Sequence, residues 1–340
     1  MGRPSEAPDL EEVDVKQAGW LMNVILAGCL WTPAVARAQA PAFLLEWGTF
    51  GAGPEQFGKV YSLTVSPSAV VYVSDYSNNR ILEFSTSGVY LGQWGTYGQG
   101  DGQFYQPFGI ALDARGNVFV CDQHNHRVEE FRTDGSFVRT WGSLGAGPGQ
   151  FNFPAGIAVD ASGNVYVVDY GNARMQKFTN DGVYLTQWGT FGAGPGQLSG
   201  PYAAAVGPDG DVYVVDINNS RVDKYTPTGT FILSWGSRGS AAGQFAAPGG
   251  IAIDVAGDIY IADSNNCRIQ VFSSSGVYLL QWGTIGDGGQ GQFDGIYGVA
   301  LDSSGDVYGE DFHNGRIEKF GSLPTATRGE SWGKLKADYR

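Results

Sequence analysis

The sequence is poor in several residue types, and each scarcity excludes something. Cysteine occurs three times in 340 residues, at Cys29, Cys121 and Cys267. Three are too few for a disulfide framework or for the paired Cys/His ligands of a structural zinc domain. Histidine also occurs only three times, at His124, His126 and His313, so no histidine-rich metal cage is available. Basic residues number 21 against 34 acidic ones, for a net charge of −13, and no basic stripe interrupts the acidity. Such a chain is a poor match for a phosphate backbone, so no nucleic-acid partner is expected. Long apolar runs are missing except near the N-terminus, and no segment sustains a 3.6-residue apolar period. A helical bundle and a transmembrane helix in the mature chain are both excluded on this reading.

The one apolar run, residues 19–36, precedes Ala38-Gln39-Ala40, a small-residue pattern typical of a signal-peptide cleavage site. Residues 1–40 therefore read as a signal peptide. Leu26-Ala27-Gly28-Cys29 offers an alternative, a lipoprotein signal cut before a lipidated Cys29. Either leader sends the chain to the cell envelope, the periplasm or the exterior.

What the sequence has in abundance is glycine, 52 residues, together with 42% apolar and 13% aromatic residues. That combination fits an all-β chain of short strands and many turns. Trp-Gly followed by Thr or Ser recurs at Trp47, Trp94, Trp141, Trp188, Trp235 and Trp282, a spacing of 47 residues throughout. A repeat of this length points to a propeller or a solenoid. Within one copy, 155–160, 164–169, 174–178 and 183–188 alternate with period two and are separated by Gly163-Asn164 and Asp181-Gly182 turn signals. Each copy is thus a four-stranded antiparallel blade, and six blades close a β-propeller over 41–320. The sixth copy lacks a convincing fourth strand. Residues 42–47 match one, so the N-terminal strand is expected to complete the last blade; Ser331-Trp332-Gly333 is the weaker rival. Residues 321–340 form a basic tail beyond the propeller.

Asp-x-x-Asn-x-Arg repeats in register: Asp75, Asn78 and Arg80; Asp122, Asn125 and Arg127; Asp169, Asn172 and Arg174; Asp216, Asn219 and Arg221; Asp263, Asn266 and Arg268; Asp311, Asn314 and Arg316. With Gly-Ile-Ala-x-Asp and Gly-Asn-Val-Tyr-Val, this pattern resembles the NHL repeat. The resemblance implies a six-bladed propeller, commonly used to present one face to a protein, peptide, glycan or nucleic-acid partner. Propellers similar to it also include a zinc-dependent lyase and metal-dependent lactonases. A set present in every blade has no asymmetry, however, so these Asp, Asn and Arg are read as turn architecture. Asp and Asn side chains are expected to bond nearby backbone N–H groups and hold the turn, and Arg to pair with a nearby Asp.

Function is sought where the copies differ. The position opening each first strand reads Tyr61, Phe108, Ala155, Tyr202, Gly249 and Tyr297. It is expected beside the central channel, either as a partner contact or as a plug of the channel mouth. The position after the repeated Asp, which includes Tyr76, Gln123, Ser264 and Phe312, and the next, which includes His124 and His313, vary freely. They are expected to be solvent-facing turn or partner surface. Tyr61, Phe108, Tyr202, Tyr297, Tyr76, Gln123, His124, Phe312 and His313 are the candidate binding residues. His124 and His313 belong to turns two blades apart, too far to share one ion, whose ligands must approach to about 2 Å. Glu310 is the odd acidic member of an otherwise small inner position. The sequence calls for no catalytic set and no cofactor, while leaving room for a bound calcium or zinc ion. The expectation is a monomeric, exported, non-catalytic binding or scaffold module for a protein, peptide or glycan. The alternative is a metal-dependent lyase or hydrolase at the channel mouth.

Overall fold

A computed structural model describes residues 39–323. The leader up to residue 38, with Cys29 and the alternative cut before it, and the tail from 324 onward lie outside the described residues. Six four-stranded antiparallel sheets are present. Blades 1 to 5 span 60–94, 107–141, 154–188, 201–235 and 248–282. Blade 6 takes Ile296–Leu301, Val307–Asp311 and Arg316–Phe320 from the end of the chain and Phe43–Trp47 from its beginning. The closing strand pairs Glu46 with Glu318 and Trp47 with Ile317. In blade 3 the strands are Pro154–Val159, Val165–Asp169, Arg174–Phe178 and Tyr184–Trp188, within one residue of the sequence-based bounds. No helix among the described residues is long and apolar enough to cross a membrane.

The alternation of apolar and polar residues explains how blades stack. Middle strands bury both faces, as Val165–Asp169 does throughout, while fourth strands bury one face only. The Trp ending each fourth strand fills the seam to the next blade. Trp141 contacts Phe119 at 6.1 Å and Phe178 of blade 3 at 6.0 Å. Its ring covers Gly182 in the next third-to-fourth turn, where an added Cβ would lie 2.8 Å from the indole and φ is +79°. That combination of positive φ and contact requires glycine. The phenylalanine of each Gly-Gln-Phe enters the same seam, with Phe151 5.6 Å from Phe178. The glutamine beside it closes the preceding loop, Gln150 Oε1 accepting the Gly147 N–H at 3.0 Å.

The Asp-x-x-Asn-x-Arg set ties the second-to-third turn to that loop. In blade 3, Asp169 accepts the Asn152 N–H, the Asn172 amide and Arg174 Nε. Arg174 also donates to the Ala146, Gly147 and Gln150 carbonyls and to Gln187 Oε1. One buried guanidinium thereby satisfies three loop carbonyls at once. The other blades repeat the knot. Arg80, Arg127, Arg268 and Arg316 each donate Nε to their own Asp, at 3.0 Å to Asp75, 2.8 Å to Asp122, 2.8 Å to Asp263 and 2.8 Å to Asp311. Arg80 reaches the Ala52, Gly53 and Gln56 carbonyls, and Arg268 those of Ser240, Ala241 and Gln244.

The asparagine role differs from the sequence-based expectation. Its amide is a donor, not an acceptor of turn N–H groups. Asn78, Asn125, Asn219, Asn266 and Asn314 donate to Asp75, Asp122, Asp216, Asp263 and Asp311 at 2.6–2.8 Å. The same amides donate to the carbonyls of Gly51, Gly98, Gly192, Gly239 and Gly286 in the leading loops. The reason is that the Asp carboxylate and the loop carbonyls are all acceptors, and only an NH₂ group can join them. Blade 4 departs from the arginine pattern: Arg221 Nε turns to Asp223 at 2.9 Å rather than to Asp216. A third-strand position facing this knot varies in chemistry. Gln176 and Gln270 donate there to Asp169 and Asp263, respectively, whereas Glu129 and Glu318 stand at the same place in blades 2 and 6.

Candidate functional site

First strands line the central channel, and each carries a register shift near its start, between Val60 and Ser62 in blade 1 and between Pro107 and Ile110 in blade 2. A bulge re-aims one side chain, and the residue carried there is the variable aromatic position. Neighbouring first strands approach so closely that a Cβ on Gly109 would lie 2.3 Å from the Ala155 carbonyl oxygen. The resulting channel encloses a cavity of about 250 Å³, lined by residues such as Leu63, Ile110, Ile157, Ala204 and Val299.

The aromatic residues meet over one end of this cavity. Tyr61 stacks on Phe108 at 4.9 Å and meets Tyr297 edge-on at 5.6 Å. Tyr202 reaches across to Phe108 at 5.1 Å and to Tyr297 at 6.4 Å, two blades away on either side. Ala155 and Gly249, in the intervening blades, leave the space for that reach. Burial, then the neighbouring tyrosines and Glu310, pushes the Tyr61 hydroxyl up to about 12 and the Tyr202 hydroxyl well above its ordinary value. Neither is a base near neutral pH. Glu310 lies in this cluster, 2% exposed, with its Oε2 accepting the Tyr297 N–H at 3.3 Å. Burial pushes its carboxyl well above the usual range, and the adjacent Asp311 adds to this. Burial thus favours the protonated form of Glu310 under the mouth, and no cation stands beside it in the described contacts.

The position after the repeated Asp is not uniformly surface, and the sequence-based expectation is corrected here. Phe312 is 7% exposed and packs on Tyr61 at 5.1 Å and Tyr297 at 4.9 Å. Ser264 is fully buried. Both turns fold inward because the mouth of the channel offers apolar cover. Tyr76 also leans on Tyr61, at 5.1 Å, and its hydroxyl donates to Gln106 Oε1 at 2.9 Å. Gln123 remains half-buried, and His313 sits beside Phe312 with their rings 4.9 Å apart. The structure thus brings together Tyr61, Phe108, Tyr202, Tyr297, Tyr76 and Phe312. His124 joins them through Tyr76, with its Nε2 3.3 Å from the hydroxyl.

Several residues of this face were not singled out by the repeat alignment. Tyr105 and Phe153 follow Gly-Gln-Phe and pack on His124 at 4.9 and 5.0 Å. Comparing the residues just after each Gly-Gln-Phe would have exposed both, since blades 4 to 6 carry only Ser, Gly, Ala or Asp there. His126 has a structural role, its Nδ1 accepting the Phe153 N–H at 3.1 Å just as Asn79 Oδ1 accepts the Gln106 N–H. Burial lowers the pKa of both His124 and His126, so both are neutral near pH 7. Among the described residues, no three His, Cys, Asp or Glu side chains assemble as a metal-binding group. Cys121 and Cys267 are buried free thiols.

The two faces of the propeller differ. Phe50, Tyr97, Leu144, Phe191 and Ile285 occupy one equivalent position in the leading loops and are 51–75% exposed. Tyr105, Phe153 and Tyr170 lie on the same face and are also exposed. The opposite side contributes only aliphatic groups among the exposed large apolar residues described, such as Val255, Val89, Val183 and Val277. Among the described residues, exposed aromatic rings are thus confined to the loop face.

The NHL repeat family profile matches residues 104–131, 151–178 and 245–272. No curated protein sequence matches the chain. Several solved structures share the fold. A virginiamycin B lyase from Staphylococcus aureus is 17% identical over 78% of this chain and 80% of its own, with a TM-score of 0.56. A gluconolactonase from Xanthomonas campestris is 14% identical over 84% and 98%, with a TM-score of 0.60. A protein of unknown function from Bacteroides thetaiotaomicron is 17% identical over 84% and 83%, with a TM-score of 0.62. At these identities the likeness is one of fold.

Proposed function

Starting from an NHL-repeat protein folded as a six-bladed propeller, we propose that the chain is an exported, non-catalytic binding module that engages a protein, peptide or glycan through its loop face. The observation that carries this reading is the one-sided distribution of exposed aromatic side chains, centred on the aromatic channel mouth. Tyrosines supply large contact area at low entropic cost and a polar tip, a combination favoured at binding surfaces. The test is capture of partners by the full chain, compared with a variant in which Tyr61, Tyr202 and Tyr297 are all changed to Ala. A circular-dichroism spectrum shows whether that variant is folded. Loss of capture by a folded variant supports the reading, and equal capture sinks it.

A second reading rests on Glu310. A buried carboxyl with a raised pKa under a channel mouth is the kind of group that serves as a general acid, and two of the neighbours in fold are a lyase and a gluconolactonase. On this reading the chain is a metal-dependent lyase or hydrolase. Stoichiometric zinc or calcium in purified protein, removed by a chelator together with activity, would replace the first reading with this one.

A further inference from the structure

We infer that the loop face takes a neutral carbohydrate chain, lying along a single radial track of aromatic side chains from the channel mouth to the rim. This rests on the binding-module reading and names its ligand class. The track runs from Tyr61 to Tyr76 at 5.1 Å, to His124 at 6.3 Å, to Tyr105 at 4.9 Å and to Tyr97 at 5.3 Å. Exposure rises outward, from half-buried Tyr61, Tyr76 and His124 to 36% at Tyr105 and 67% at Tyr97. Phe153 flanks it beside His124.

The track exists at one blade boundary only. Where blade 2 and its leading loop have Tyr97, Tyr105 and His124, the next copies read Leu144, Asn152 and Gly171, then Phe191, Ser199 and Asn218. A sixfold architectural role would not produce such a difference, whereas a ligand site requires it.

Three features select the ligand. First, no track residue is charged, and Arg127 below it is already held by Asp122 and the carbonyls of Gln99, Gly100 and Gln103. Lys59 stands at the inner end, its Nζ 5.9 Å from the Phe312 ring, so a phosphate, sulfate or uronate would meet counter-charge there but none along the outer track. Second, the main-chain donors along it are taken. The His124 N–H donates to the Tyr105 carbonyl, Tyr105 N–H to Asp122 Oδ1, Gln106 N–H to Asn79 Oδ1 and Phe153 N–H to His126 Nδ1. An extended peptide recognised by main-chain pairing finds these donors already used. Third, what remains is aromatic ring surface, its rings turned edge-to-face (86° between Tyr61 and Tyr76, 80° between Tyr97 and Tyr105) except for the 37° tilt of Tyr105 and His124, so that separate ring faces are edged by phenol, imidazole and amide groups. That surface complements a molecule with C–H faces and hydroxyl rims, which is a neutral sugar chain. The Tyr76 hydroxyl, already bonded to Gln106 and close to His124, fixes the inner half before ligand arrives.

The test uses the full chain against an array of neutral and acidic oligosaccharides and a random peptide library, followed by affinity electrophoresis in xyloglucan and galactomannan. Binding to neutral glycans, insensitive to added sodium chloride, is expected. Tyr97→Ala and Tyr105→Ala should each weaken it about five- to tenfold, whereas Tyr170→Ala, exposed on the same face but off the track, should leave it unchanged. Because Tyr97 is largely exposed, its removal leaves folding intact. Capture of peptides but no glycan overturns the inference and leaves the binding-module reading standing. So does binding to acidic glycans that salt abolishes, or neutral binding indifferent to Tyr97 and Tyr105. Failure to bind any probe overturns it as well. If capture of partners by the Tyr61/Tyr202/Tyr297 variant is also unchanged, the binding-module reading falls too.

Discussion

Changing Glu129 to Gln should stabilise the propeller above neutral pH, because the protein already uses glutamine at the same place in two other blades. Glu129 is fully buried. Its Oε2 accepts the Gly102 N–H, and its other oxygen lies against Arg127, a guanidinium already paired with Asp122. Two carboxyls thus share one cation. Burial, only partly opposed by Arg127, pushes the Glu129 carboxyl from 4.5 up to about 8. The folded state therefore holds a proton that the unfolded state releases near pH 4.5. Stability is full below that pH, falls as the pH rises, and levels off beyond about 8. At 1.36 kcal/mol per pH unit, the loss over that window is at most about 5 kcal/mol. In the Gln variant, the amide can donate to Gln103 O and Asp122 as Gln176 donates to Gln150 O and Asp169. It has no proton to lose. Urea unfolding followed by tryptophan fluorescence at about pH 5 and about pH 9 reads the difference. Wild type should lose several kcal/mol between the two conditions, and Glu129→Gln distinctly less. Glu318, raised to about 7, should behave likewise with a smaller loss of about 3 kcal/mol. An unchanged pH slope in Glu129→Gln, or lower stability than wild type at about pH 9, would refute the reasoning.

Gly182→Ala and Gly149→Ala start from nearly the same φ, +79° and +76°, but only the former places its Cβ against a tryptophan. Thermal denaturation should show a cost of about 1 kcal/mol for Gly149→Ala, from backbone strain alone, and about 3 kcal/mol for Gly182→Ala. Arg174→Lys keeps the charge but loses the fork that serves Asp169, Gln187 and three loop carbonyls, so urea unfolding should register a loss of about 3 kcal/mol. Trp47→Ala empties the seam where the two ends of the chain close, in contact with Phe84 and Tyr308. It should lower stability by about 3–5 kcal/mol in the same assay; a change under about 1 kcal/mol would mean that closure depends little on this residue.

The fold was legible in the sequence because its determinants are local. Period-two alternation, turn dipeptides and a 47-residue recurrence describe one blade, and a blade cannot bury both faces without neighbours. Even the split sixth blade could be read, since Phe43–Trp47 resembles a fourth strand with no third strand before it. The paired Asp169 and Arg174 were recognisable as architecture from their recurrence alone. The direction of the asparagine bonds was not, because Asn78 and Asn266 find their acceptors in leading loops 27 residues earlier.

The site was legible only as a set of positions. That Tyr61, Phe108, Tyr202 and Tyr297 vary could be read from the aligned copies; that Tyr202 touches rings in blades two apart could not. This depends on how tightly six first strands converge and on the gaps left by Ala155 and Gly249. Alignment likewise left Phe312 on the surface, Tyr105 unnoticed and Glu310 a stray acid. Packing across the channel buried the first and the third, and packing between adjacent blades set the second beside His124. Sequence by itself determined the blade and how the propeller closes, because those follow from contacts within one repeat. Which side chains meet over the channel was decided only by tertiary structure, because those contacts join residues from different repeats whose separation is set by the closure of the whole propeller.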